Sequence, residues 1–467
     1  MAEKISSLRE SKSARWVVLI LVSFTMMCMY YLPDAMAPLQ QNLQSKLHWS
    51  ATDYGLFTSG YGWFNVFLLM MVFSGMILDK LGTRFTGVLA IGIMLAGAGI
   101  KYWAIAGHVD GTYELTIGSW QVLGLTPKSA VVAGLGFALF GVGSEMFGIA
   151  ANKAVVRWFR GKEMALAIGL NTSTGRIGTA LAMFTPQPLY NLTKDVSAPV
   201  LLSIVLLCLG LLVYLFFNVI DKRLDKEESD AGIASDEEFK FSDIADIARN
   251  RAFWYISILC VLFYSAVFPF IKFATNLIVQ KFSVTDTFAG YIPALLPFSA
   301  LLLTPLFGGI SDKKGKGASI MILGSILLVC VHLLFAIPSL NSFPIAIGLV
   351  VVLGIAFSLV PSAMWPAIAK IIPESKLGTA YAMTFWVQNW GLMLVPLLIG
   401  WVLDKYCIIG TITRVIDGKQ EQLTQYNYTI PMLIFACFGV LAIGFAYLLK
   451  AEDKKKGYGL EQPNVIE

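Results

Sequence analysis

The chain has 467 residues, of which 57% are hydrophobic and 14% charged, with a mean hydropathy of +0.70. Soluble domains carry about 25% charged residues, so a water-soluble globule is excluded. Lys and Arg total 35 against 30 acids; this small excess lies in short loops, and no basic stripe with interleaved aromatics marks a nucleic-acid face.

A bilayer core takes about 20 apolar residues per helix. Scanning at that length predicts twelve spans, near 16–38, 54–78, 84–106, 129–152, 164–186, 199–220, 252–279, 286–310, 318–337, 343–369, 377–402 and 428–449. They must be helices, because an open strand leaves unpaired backbone groups in lipid. The expected fold is therefore an all-α membrane protein. The basic start (Lys4, Arg9, Lys12, Arg15) and the long apolar run after it read as a tail and first span, not a cleaved signal. Most Lys and Arg fall in the loops on the side of the two termini, which places both termini in the cytoplasm.

The longest connection, 221–251, separates an N-terminal six-helix half (1–220) from a C-terminal half with its tail (252–467). Its first part is charged and reads as flexible. Its second part puts Phe241, Ile244, Ile247 and Ala248 on one face, the pattern of a helix lying along the inner surface, with Ser242 as its N-cap.

The halves echo each other. Gly75-Met-Ile-Leu-Asp79-Lys-Leu-Gly82-Thr-Arg84 follows span two, and Gly308-Gly-Ile-Ser-Asp312-Lys-Lys-Gly315-Lys-Gly317 occupies the equivalent place in the second half. Both read G-x-x-x-D-x-x-G, the mark of an internally duplicated transporter. The pattern resembles the signature loop of the major facilitator superfamily. That resemblance implies two pseudo-symmetric six-helix halves. It also implies a gating role for Gly75, Asp79, Gly82, Arg84 and Asp312, with Asp79 latching the inner ends of the halves through Arg157.

Two opposite charges stand inside apolar stretches, Glu145 in Leu135–Asn152 and Arg176 in Met164–Pro186. Glu145 lies 12 residues before Arg157, about 18 Å into the membrane, and Arg176 13 residues after Glu163, about 20 Å deep. The two charges reach one level near the midplane, where transporters place their sites. A guanidinium with Asn171, Thr172, Ser173 and Thr174 nearby suits a carboxylate, and a glutamate suits an ammonium. Together they match a zwitterion such as an amino acid or short peptide. The competing reading is a structural ion pair without ligand. Asp34, Trp63, Asn65, Phe268, Lys272, Gln388 and Asn389 are further candidates for the cavity, with Tyr264 and Phe270 in the Pro-interrupted span seven; Lys272 could instead snorkel outward.

A closer resemblance rests on Gly141-Val-Gly-Ser-Glu145, Asn152, Trp158-Phe-Arg-Gly-Lys-Glu163 and Gly175-Arg176-Ile-Gly178. It continues in Ala266-Val-Phe-Pro-Phe-Ile271, Trp365-Pro366, Leu377-Gly-Thr-Ala-Tyr381 and Gln388-Asn389. These blocks are similar to those of the lysosomal dipeptide transporters called major facilitator superfamily domain-containing protein 1. The resemblance implies central dipeptide binding and uniport, with Glu145 on the peptide ammonium and Arg176 on its carboxylate. Lys272 departs from the small residue of the mammalian proteins, and 111–125 makes a longer outer loop. No acidic dileucine signal is visible, which favours a bacterial cytoplasmic membrane over a lysosomal one. The protein partner of the lysosomal transporters has no visible counterpart in the sequence. Span one, WVVLILVSFTMMCMYYLPD, lacks the E-x-x-E-R cluster of proton-driven peptide transporters.

Six cysteines (Cys28, Cys208, Cys260, Cys330, Cys407, Cys437) form no C-x-x-C pair and His48, His108 and His332 are scattered, so no disulfide framework, metal or other cofactor is expected. Without a nucleophile–base set or phosphate loop the chain does not read as an enzyme. Two alternatives to dipeptide transport stay open: an organic-anion exchanger gripping with Arg176 and Lys272, and a non-transporting membrane sensor.

Overall fold

The computed structural model describes residues 10–117, 120–159, 162–230, 241–373, 376–416 and 418–463. The first half comprises α1 (Lys12–Tyr31), α2 (Gln40–Leu47), α3 (Ala51–Phe67), α4 (Met70–Trp103), α5 (Lys128–Phe159), α6 (Met164–Phe184), α7 (Pro186–Thr193) and α8 (Ala198–Asp230). A connecting helix α9 (Phe241–Ala248) follows. The second half comprises α10 (Arg251–Phe282), α11 (Asp286–Ala289), α12 (Tyr291–Lys314), α13 (Gly317–Ala336), α14 (Phe343–Ile371), α15 (Leu377–Tyr406) and α16 (Thr429–Lys456). Ten of the described helical segments are long and apolar enough to cross a membrane unaided. α3 and α6 complete the expected twelve: α3 has only 17 residues, and α6 carries Asn171–Thr174 and Arg176 at its centre.

Two departures from the expected elements have local causes. Span two, expected to run unbroken over 54–78, breaks at Leu69, which adopts a left-handed φ of 51°. Two of the connections on the face away from the termini are antiparallel hairpins, not plain loops: β1 (Thr112–Ile117) pairs with β2 (Trp120–Pro127), and β3 (Ile408–Ile416) with β4 (Lys419–Tyr426). The second is rich in β-branched residues, and Gly418, with a φ of 77°, stands between its strands.

Both copies of the repeated motif end in the same unusual backbone. Gly82 has φ 74° and ψ 172°, and Gly315 has φ 68° and ψ −137°. Only glycine adopts this region without strain. At Gly82 a Cβ would meet nothing within 4 Å, so Gly82→Ala isolates the backbone cost. It should destabilise the protein by about 1–3 kcal/mol, read as a lower melting temperature in detergent; an unchanged value would show that the turn relaxes.

The halves meet along two helix pairs, α3 against α15 and α6 against α12. Glycines form the first seam: a Cβ at Gly55 would sit 2.5 Å from the Pro396 carbonyl oxygen, one at Gly62 2.8 Å from the Met393 Cβ, and one at Gly400 would collide with the Ala51 carbonyl. Small residues let backbones approach where lipid supplies no hydrophobic drive.

Polar ties between the halves gather on the face that carries the hairpins. Asp404 accepts from the Ala51 and Thr52 amides (3.2 and 2.6 Å) and the Thr52 hydroxyl (2.6 Å), a carboxylate at the start of α3. Gln41 donates to Asn276 (2.9 Å), Gln44 to Thr424 (2.8 Å), and the Tyr54 hydroxyl to the Lys272 carbonyl (3.0 Å).

Toward the opposite face, which carries the chain termini, Trp386 donates to the Val66 carbonyl across the halves (3.1 Å), and several ion pairs among the described residues lie within one half or reach the connecting helix. Asp221 on α8 is buried and accepts from Arg157 (3.3 Å) and Trp158 (2.7 Å), with Arg84 at 3.8 Å. Lys376 reaches Asp246 (2.6 Å) and Asp243 (3.6 Å) on α9, and its hydrogen bond and charge hold the Asp246 carboxyl below the usual range. α9 buries Ile247, as its apolar face predicts, but against protein: it packs on α10 and α15. Gly459–Gln462 crosses the turn between α12 and α13. Lys370 on α14 donates to the Gly459 and Gln462 carbonyls (2.8 and 2.9 Å). Glu461 accepts from Ser319 on α13 (2.7 and 2.9 Å) and pairs with Lys450 on α16 (3.5 Å).

Candidate functional site

Close helix packing sets the two central charges. Gly141 on α5 has no side chain to hold off the backbone of α3, and a Cβ there would collide with the Tyr61 carbonyl. α3 therefore seats on α5, and the Tyr61 hydroxyl donates to Glu145 Oε1 (2.9 Å), with Ser144 Oγ at 3.2 Å. Gly178 does the same for α6 against Met27 of α1, and a Cβ at Gly175 would lie 3.0 Å from the Tyr30 ring. Tyr30 is thereby placed against Arg176, whose Cζ lies 5.9 Å from its ring centre. Ser23 to Asn171 (3.1 Å) and Asn171 to Asn152 (3.3 Å) tie α1, α5 and α6 together below the charges. Asn171 is thus spent on packing, and Thr174 bonds its own helix at the Leu170 carbonyl (2.8 Å).

The second half supplies the facing wall. Phe268 on α10 and Phe357 on α14 present rings 5.9 and 5.0 Å from the Arg176 Cζ. Asn389 on α15 lies beside the Glu145 carboxylate, donates to the Phe385 carbonyl (3.0 Å), and meets Asn65 of α3 at 3.5 Å. Tyr30 lies within the electrostatic reach of both charges. Among the described residues no ion pair joins Glu145 to Arg176, and both are partly exposed. Glu145 holds a hydroxyl and Arg176 lies among ring faces. Each keeps its hydrogen-bonding capacity for a further group.

The other residues singled out from sequence fall into distinct places. Asp34 and Lys272 bond each other across the halves at 2.6 Å, and Lys272 also donates to the Pro33 carbonyl (2.5 Å). Lys272 therefore does not snorkel outward. Trp63 donates to Ser59 of its own helix (3.0 Å) and packs on Gly134. Gln388 is buried against α10, where Cys260 approaches it at 3.6 Å. Phe270 stacks inside the second half on His332, Phe335 and Phe435. At the terminal face Arg157 contacts Asp221. Asp79 lies on α4, with its side chain outside the described residues, and Gly75 faces open space.

Four participants were not anticipated. Tyr30, Tyr61 and Phe357 are aromatics in spans full of aromatics, and no sequence signal sets them apart. Lys101 had one: it is a cation inside span three. It is fully buried, donates to the Leu32 carbonyl (3.3 Å), and sits over the Phe57 and Phe137 rings at 4.8 and 4.5 Å.

Comparison with known proteins agrees with this architecture. The sequence model of the Major Facilitator Superfamily matches residues 18–396 and 275–463. The chain is 30% identical over 409 residues to the lysosomal dipeptide transporter MFSD1 of Danio rerio, covering 84% of this chain and 81% of that one. It is 28% identical over 404 residues to the MFSD1 of Bos taurus, covering 84% and 80%. Among solved structures, a bacterial homolog to the human lysosomal transporter Spinster, in an inward-facing and unoccupied conformation, superposes with a TM-score of 0.68 at 16% identity, covering 95% of this chain and 98% of that one. The nucleoside transporter NupG superposes with a TM-score of 0.62 at 16% identity, covering 94% and 99%. At these identities the two structures speak for the fold alone.

Proposed function

The chain belongs to the major facilitator superfamily, and on that premise we propose that this membrane transporter carries dipeptides or similarly sized zwitterions by alternating access, as a uniporter. One observation carries the reading: Glu145 and Arg176 stand on adjoining helices of one half, at one level, without bonding each other. Keeping two charges apart in a membrane interior is costly. A solute with an ammonium at one end and a carboxylate at the other answers both. The similarity to lysosomal dipeptide transporters supports the same solute class. The engagement of Lys272 with Asp34 weighs against a dianion, because it removes one of the two cations such a solute would need beside Arg176.

Alternating access fits the distribution of ties. With the termini in the cytoplasm, as the basic loops favour, the hairpin face is external, and its cross-half bonds hold it shut. On this reading the conformation is the one closed on the outer side.

The test is uptake of a labelled dipeptide into proteoliposomes. Glu145→Gln is expected to lower uptake by about 30-fold, because a hydrogen-bonded charge pair with the ligand is worth about 2 kcal/mol or more. An N-acetylated dipeptide, which lacks the ammonium, should fail to compete. Collapsing the proton gradient should leave parental uptake unchanged. Competition by the acetylated peptide would remove Glu145 from the site, and loss of uptake with the gradient would replace uniport by proton coupling.

A further inference from the structure

The two ends of the site are chemically unlike, and this difference bears on which side chains the solute may carry. Around Glu145 the neighbours are polar: the Tyr61 hydroxyl, Ser144, Asn389 and, behind it, Asn65. Around Arg176 they are rings. Phe357 and Phe268 meet edge to face at 5.6 Å, and Tyr264 stacks on Phe268 at 5.2 Å. Trp365 donates to the Tyr264 hydroxyl (3.3 Å) and packs on Phe385 at 4.8 Å. The rings form one continuous wall across α10, α14 and α15. Phe268, Trp365 and Phe385 keep part of their surface exposed, although each lies within the bundle.

We infer that the protein selects dipeptides by the side chain of their C-terminal residue, favouring large apolar and above all aromatic ones. This rests on the reading in which Arg176 takes the peptide carboxylate. The α-carbon is bonded to that carboxylate, so its side chain emerges beside the guanidinium, onto the partly exposed Phe268 and the buried Phe357 that meets it. Burying an aromatic side chain there removes apolar surface from water and adds ring–ring contact. An aspartate side chain at the same place meets the negative ring faces and competes with the peptide carboxylate for one guanidinium. The N-terminal residue's side chain leaves beside Glu145, where the neighbouring ring, Tyr61, turns its hydroxyl to the carboxylate and Ser144 and Asn389 add further polar groups.

The experiment compares binding of Gly-Phe, Phe-Gly, Gly-Gly and Gly-Asp to the purified full-length protein by calorimetry, with proteoliposome uptake alongside. The two phenylalanine peptides have identical composition, so their difference reads position alone. Gly-Phe is expected to bind about tenfold more tightly than Phe-Gly, the effect of partly burying one aromatic side chain, with Gly-Asp weakest. Phe357→Ala should collapse the ratio between the two toward one. Phe268→Leu, a milder change at a partly exposed position, should reduce it in the same sense if the first variant folds poorly. Equal affinity of Gly-Phe and Phe-Gly for the parental protein would overturn the inference while leaving dipeptide transport intact. So would a ratio that both variants preserve. Failure of all four peptides to bind would overturn the dipeptide reading itself, and this inference with it.

Discussion

Arg176→Ala is expected to lower dipeptide uptake by about 100-fold while leaving the melting temperature nearly unchanged. The first effect follows from removing a charge-assisted, bidentate grip on the peptide carboxylate, worth about 3 kcal/mol or more in a site shielded from water. The second follows from what Arg176 touches. Its guanidinium faces the rings of Phe357, Phe268 and Tyr30 and pairs with no acid among the described residues. Truncation therefore orphans no carboxylate. A structural ion pair would behave oppositely, because breaking one costs about 3–5 kcal/mol through the charge left behind. Uptake in proteoliposomes and thermal unfolding on the same preparation separate the two. Parental uptake in the variant, or a collapse in stability, would remove Arg176 from the solute site.

The second large effect belongs to Asp34. This acid bonds Lys272 at 2.6 Å across the halves. Asp34→Ala leaves the partly buried Lys272 ammonium without its acid. The closed arrangement of the hairpin face should weaken by about 3 kcal/mol, roughly a hundredfold in population. Hydrogen–deuterium exchange would report it as faster exchange in α2, which follows Asp34 in the chain and packs on α10. Lys272→Ala should loosen the same face, because it leaves the Asp34 carboxylate without its ammonium. Exchange unchanged in both variants would show that the pair does not hold this face together.

Much of this molecule was readable beforehand, because lipid imposes a simple rule on length and polarity. All twelve spans have helical counterparts, and the duplicated motif marked two turns whose backbone only glycine tolerates. Glu145 and Arg176 stood out because charge is rare at that depth. What escaped notice depended on distance in the chain or on rotation about a helix axis. Residue type and depth alone mark both Asp34 and Lys272 as candidate solute contacts. They are 238 residues apart, and no local spacing announces that they meet. Gln388 and Asn389 are adjacent, yet one turns into its own half and the other toward Glu145. The rule that singles out Glu145, a charge deep within an apolar span, applies equally to Lys101. The hairpins were missed because helix-length windows do not register short alternating strands.

The segment Gly459–Gln462 works like a hoop around the rim of the second half. It is fastened to α13, α14 and α16 by Glu461 and by the backbone carbonyls that Lys370 grips. Helices fastened in this way travel together, so any rocking of that half must be absorbed elsewhere, at the glycine seam between α3 and α15 and in the connection around α9. A bulky fusion attached just beyond this hoop would strain its closure, whereas the same cargo at the opposite end of the chain would leave it alone.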